Sequence, residues 1–104
     1  GTRAQVRFAI REEGVSFSEH PDKIQAQFYV HHDGYPEGLG VEIAESILYQ
    51  EKIGAWEIEH VQDKHGDLDY IYYVWSDYDK ETWISIFETQ YSISYDDDKC
   101  IFVG

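Results

Sequence analysis

Residues 31 to 40, HHDGYPEGLG, are the most unusual stretch of the sequence, with two adjacent histidines beside an aspartate. His31, His32 and Asp33 offer two imidazoles and a carboxylate, the donor types that zinc and its neighbours favour. Adjacent residues of a strand point to opposite faces, however, so His31 and His32 do not converge on one ion while the chain stays extended. A third ligand would have to come from His20, His60 or His65. A second candidate, DYDKETWISIFE at 77 to 88, spaces Asp77, Asp79, Glu81 and Glu88 like a calcium loop. Its sixth position is Thr82, where such a loop needs glycine, so a hairpin turn with acidic residues is the better account. The sequence has no G-x-S-x-G, phosphate loop, dinucleotide fingerprint or H-E-x-x-H. The expectation is a non-enzymatic protein with no metal and no cofactor. A metal or small-ligand site on the His31–Asp33 loop is the alternative.

Hydrophobic periodicity supplies the elements around these residues. QVRFAIR, 5 to 11, alternates, with Val6, Phe8 and Ile10 on one face and Arg7 and Arg11 on the other. Residues 12 to 22 read as turn or loop, with room for a short strand around Val15 to Phe17. IQAQFYVHH, 24 to 32, alternates again, with Ile24, Ala26, Phe28 and Val30 as its apolar face. In 39 to 51 the period lengthens. Leu39, Ile43, Ala44, Ile47 and Leu48 make one stripe of an amphipathic helix, with Lys52 at its end and Gly54 to close it. AWEIEHV, DYIYYVW, TWISIFE, YSISY and KCIFV then read as strands joined by acidic turns. The expected fold is α+β: one domain over 1 to 104, an antiparallel sheet of about five to seven strands, and one amphipathic helix on one face.

In this frame HHDGYPEGLG is a strand-to-helix joint. Asp33-Gly34 makes a turn with positive φ at Gly34. Pro36 fixes its own φ and biases Tyr35 to an extended backbone. Gly38 and Gly40 loosen the approach to the helix, and Glu37 sits near its positive end. The pattern HxDGYPEGxG, carried by His31, Asp33, Gly34, Tyr35, Pro36, Gly38 and Gly40 between an alternating strand and an acidic helix, resembles small phage and prophage proteins. That resemblance implies phage association, and attaches no catalytic role to the motif.

Twenty-one acidic residues stand against eight basic ones, a formal net charge of -13. The imbalance grows along the chain: nine acids and five bases (net -4) in 1 to 54, twelve and three (net -9) in 55 to 104. Charge of this sign disfavours direct contact with nucleic acid or an anionic membrane and favours a basic protein surface. The carboxylates expected to meet such a surface are Glu57, Glu59, Asp67, Asp69, Asp77, Asp79, Asp96, Asp97 and Asp98. Tyr70 and Tyr72 would share the exposed sheet face with the glutamates, tyrosine adding contact area at low entropic cost. The leading reading is an acidic module that inhibits a basic, nucleic-acid-binding protein by mimicking nucleic acid, an anti-CRISPR protein being one such case given the phage resemblance. A structural or assembly module of a phage particle is a further alternative.

The lone Cys100 makes no internal disulfide and reads as a small buried residue near the last strand of a cytoplasmic protein. No apolar run is long enough to span a membrane. The absence of Met and the start at Gly1 read as a trimmed N-terminus.

Overall fold

The first strand is buried on both sides rather than one, with Gln5 and Arg7 on its second side, and this organises the fold. A computed structural model describes residues 1–49, 56–76 and 81–104, with the side chains of 47–49 left out. It contains β1 (Ala4–Ile10), β2 (Ile24–Val30), a π-helical turn (Pro36–Gly40) leading into α1 (Val41–Tyr49), β3 (Glu57–Glu59), β4 (Tyr70–Ser76), β5 (Thr82–Glu88) and β6 (Lys99–Val103). One sheet holds the six strands in the order β3-β2-β1-β4-β5-β6.

The class is α+β, as the patterning suggests, but the sheet is mixed. β1 runs parallel to β4, and every other pair is antiparallel. β1 is therefore central, flanked on both sides, and only its end at Ile10 is exposed. The helical connection between β2 and β3 lies over one face. There Leu39 and Ile43 pack on Ala4, Val6, Val30, Tyr72, Val74 and Ile86. Residues 50–55, which include the expected helix stop at Lys52 and Gly54, lie outside the described residues, as do Asp77 and Asp79.

The other face is not solvated. Ala9, Ile71, Tyr73, Trp75 and Phe87 of the strands meet Leu68 and Tyr95 from the connections, with Val15 and Phe17 packed alongside. Long irregular connections at 11–23, 60–69 and 89–98 thus take the place of a second helical layer. Full burial of side chains such as Trp75 or Ile71 stabilises by roughly 1.5–3 kcal/mol each, which is what holds these connections down. YSISY, expected as a strand, forms turns here, with Tyr91 and Tyr95 at φ 55° and 62°. Val15–Phe17 is likewise not a strand. Cys100 is partly buried against the same cluster.

A register shift between Phe8 and Ala9 pairs Ala9 with Ile24. Ile24 therefore joins the loop-covered core instead of sharing a face with Phe28 and Val30.

The joint after β2 is built differently from its expected form. Asp33 carries the positive φ, 58°. Gly34 is needed for closeness instead: a Cβ there would lie 2.7 Å from that of Ala4 and 3.1 Å from the Thr2 carbonyl oxygen. The Gly34 amide donates to the Thr2 carbonyl, and its own carbonyl accepts from the Tyr72 hydroxyl at 2.5 Å. Tyr35 is extended (φ -73°, ψ 153°) before Pro36, as the proline requires.

Candidate functional site

Strand register decides where the acidic residues end up. β1 begins, β2 ends, β3 begins, β4 begins, β5 ends and β6 begins at the same end of the sheet. That end carries His31, His32 and Asp33 after β2, Glu57 on β3, Asp67 and Asp69 before β4, and Glu88 closing β5. Asp33, Glu57, Asp67 and Glu88 are exposed. They form an acidic rim, with Tyr91 and Tyr35 also exposed near it along the chain. Its cations are Arg3 and the exposed Lys99, which opens β6 opposite Glu88, and Arg3 is occupied: its Nη1 lies 2.6 Å from Asp67 and its amide donates to Asp69. Asp69 also accepts from the Tyr91 hydroxyl. His31 Nε2 lies 3.0 Å from Glu57.

The expected composite face of glutamates and tyrosines does not exist. Glu57 and Glu59 pair with Tyr29 and Gln27 on the loop-covered side, whereas Tyr70 and Tyr72 lie on the helix side. β1 between β2 and β4 fixes this phase, and a sequence without its partners does not contain it. Tyr72 is wholly buried, so it belongs to the core and not to a contact surface. Burial also pushes its hydroxyl well above the ordinary tyrosine range. Tyr70 is half-buried against the same cluster. Asp96 and Asp97 are exposed, but the Asp98 side chain is buried to 1% exposure, and that burial raises its pKa.

Beneath the long connections lies a buried polar cluster that the alternation pattern did not disclose. Arg7, 6% exposed, donates from Nε to Gln27 Oε1 (2.6 Å), from Nη1 to the Tyr73 hydroxyl (2.9 Å) and from Nη2 to the Val61 carbonyl (3.2 Å). Gln27 passes the contact on, donating to Glu59 Oε1 and to the carbonyls of His60 and Asp63. Gln5 donates to the same Glu59 oxygen, and His65 Nε2 lies 2.7 Å from the other. Glu59 is thus satisfied inside the fold.

His20 closes the cluster on the other side. It stacks on Phe87 with ring centroids 4.1 Å apart, and its Nδ1 is 2.5 Å from the Tyr73 hydroxyl. Arg7 and Nδ1 thus share the Tyr73 hydroxyl, whose two lone pairs and one proton serve both. Burial lowers the His20 pKa to about 4, and burial pushes the Tyr73 hydroxyl up to about 12. Nε2 faces Asp98 Oδ2 at 3.3 Å, but neither atom has an aligned hydrogen bond. Nearness here does not make an ion pair.

Among the described residues no three His, Cys, Asp or Glu side chains stand close enough to hold a metal ion. His31, His32, Asp33 and Glu57 line one shallow cavity with Trp56, but the two imidazole centroids are 6.2 Å apart. No described helix is long and apolar enough to cross a membrane. Comparisons with protein-family models, curated proteins and solved structures find no match for this chain. Geometry alone carries the functional reading.

Two residues expected in other roles, Glu88 in the calcium-like spacing and Asp33 in the histidine loop, belong to the rim. Glu88 reaches the rim because β5 ends there, and Asp33 because its left-handed backbone turns the chain at the end of β2. The acid at the close of TWISIFE was a visible signal, but only register gives it neighbours.

Proposed function

We propose that this protein is a non-enzymatic binding module whose acidic rim docks on a basic surface of another protein, occupying it in place of nucleic acid. The observation that supports the reading most is the gathering of Asp33, Glu57, Asp67 and Glu88, all exposed, with Asp69 at one end of the sheet, five carboxylates against two cations, Arg3 on Asp67 and Lys99 opposite Glu88. Carboxylates on a rigid sheet end meet a basic groove without first being ordered, so little entropy is lost in binding. Tyr91 and Tyr35 add apolar area beside the charges. A groove evolved for phosphates matches this chemistry, since arginine binds carboxylate and phosphate with the same forked geometry. An inhibitor of a nucleic-acid-binding protein, in a phage setting or another, fits that match.

Affinity capture with the natural chain and with the Asp33→Asn, Glu57→Gln, Glu88→Gln variant tests the reading. A basic protein retained by the first, released by salt and missed by the second is the expected result. Equal retention by both chains would remove the rim from the account.

A further inference from the structure

Arg7 is a buried cation whose hydrogen-bond partners among the described residues are all neutral: an amide oxygen, a hydroxyl and a backbone carbonyl. A guanidinium has five N–H donors. Three are committed, which leaves one on each terminal nitrogen. In a chain of net charge -13 a buried arginine that bonds no carboxylate directly is unexpected, because charge removed from water is ordinarily paired. Glu59 is reached only through Gln27, and Asp98, the buried carboxylate nearby, makes no hydrogen bond to Arg7. Arg7 also lines a cavity of about 720 Å³, a size usual for small-molecule sites. Lys64, Lys23, His20, Ser94 and Tyr95 share its wall. Lys64 Nζ sits 5.0 Å from the centre of the Tyr95 ring, and the Arg7 guanidinium 5.9 Å from the same ring, so one tyrosine bridges the two cations. Asp22 and Asp96 line the wall too, but both are exposed to water, where screening weakens them.

We infer that this cavity binds a small molecule with an oxyanion head, a carboxylate or a phosphate, gripped by the two uncommitted N–H groups of Arg7 and neutralised further by Lys64. Two donors on adjacent nitrogens are the arrangement that takes an oxyanion bidentately. The neutral His20 and the Tyr95 ring offer a polar edge and an apolar wall for the remainder of the ligand. The site lies under the long connections, apart from the rim, and does not depend on the rim's role.

Titration with inorganic phosphate and, separately, with acetate, followed by NMR at constant ionic strength, tests the inference. Saturable shifts are expected at the Arg7 Nε–H, His20 and Tyr95 signals. Lys64→Gln, at an exposed position, weakens the affinity about threefold. Arg7→Lys keeps the charge, loses the fork and weakens it about tenfold. Saturation by only one anion assigns the head group to that class. Shifts that do not saturate, that map elsewhere, or that persist with equal affinity in Lys64→Gln would overturn the inference. The last arm holds even if Arg7→Lys does not fold.

Discussion

Acid should loosen the loop-covered face before the rest of the molecule, and His20 sets the scale. In the unfolded chain its imidazole takes up a proton near pH 6.5, whereas burial lowers the folded value to about 4. The unfolded state therefore binds more protons between those limits. His20's contribution to stability is fully present above pH 6.5, declines as pH falls, and is gone at about 4. At about 1.4 kcal/mol per pH unit the full span amounts to roughly 3 kcal/mol. A quarter of the side chain remains exposed, so screening by water makes this an upper figure. His20→Phe keeps the stacking on Phe87 and removes the titration. Urea unfolding of both proteins between about pH 7 and about pH 4.5 gives the comparison. The natural chain should lose up to about 2–3 kcal/mol more than the variant across that range. Asp98, present in both proteins, has its pKa raised, which relieves a penalty as pH falls through its folded value and so has the opposite sign. Parallel stability curves for the two proteins would refute a buried neutral His20.

Three other outcomes follow from the packing. Gln27→Leu should cost about 3 kcal/mol by chemical denaturation, since it strands Arg7 Nε and removes a donor from Glu59; a cost below about 1 kcal/mol would mean the cluster rearranges freely. Gly34→Ala should lower stability by about 1–3 kcal/mol, because the new methyl group meets Ala4 at 2.7 Å, and an unchanged melting temperature would contradict the close approach of β1 to the joint. Asp98→Asn should stabilise the protein at neutral pH by removing a buried charge while leaving its Oδ1 contact with the Gln90 amide, an advantage that disappears in acid once Asp98 is protonated.

Alternation in QVRFAIR and IQAQFYV located β1 and β2, and the change of period located the helix, because those signals are local. The fate of the polar positions was not local. Arg7 and Gln27 sit on what reads as the wet side of two strands, yet both are buried, since the connections at 11–23, 60–69 and 89–98 fold back over them. A connection whose apolar residues are as sparse as Val15, Phe17, Leu68 and Tyr95 has no periodicity to announce that it covers a sheet. Tyr72 reads as a surface residue because tyrosine suits either setting, yet its strand is buried on both sides and Tyr72 lies under the helix. The acidic excess of the second half was legible from composition. The rim was not, because it depends on β1 and β4 being parallel neighbours, which brings Asp67 and Asp69 to the end of the sheet that carries Glu57 and Asp33.

The central claim is that the rim, and not overall acidity, makes the contact. Binding of a captured basic partner should be titrated across salt concentrations with the natural chain, with the rim variant, and with a control in which three distant acids, Glu13, Glu19 and Glu81, become glutamine. All three control positions are exposed and lie outside the rim, so the control matches the change in net charge. The account predicts that the rim variant loses both affinity and salt dependence while the control keeps them. Equal losses in the two variants would contradict it, since net charge alone would then explain the binding.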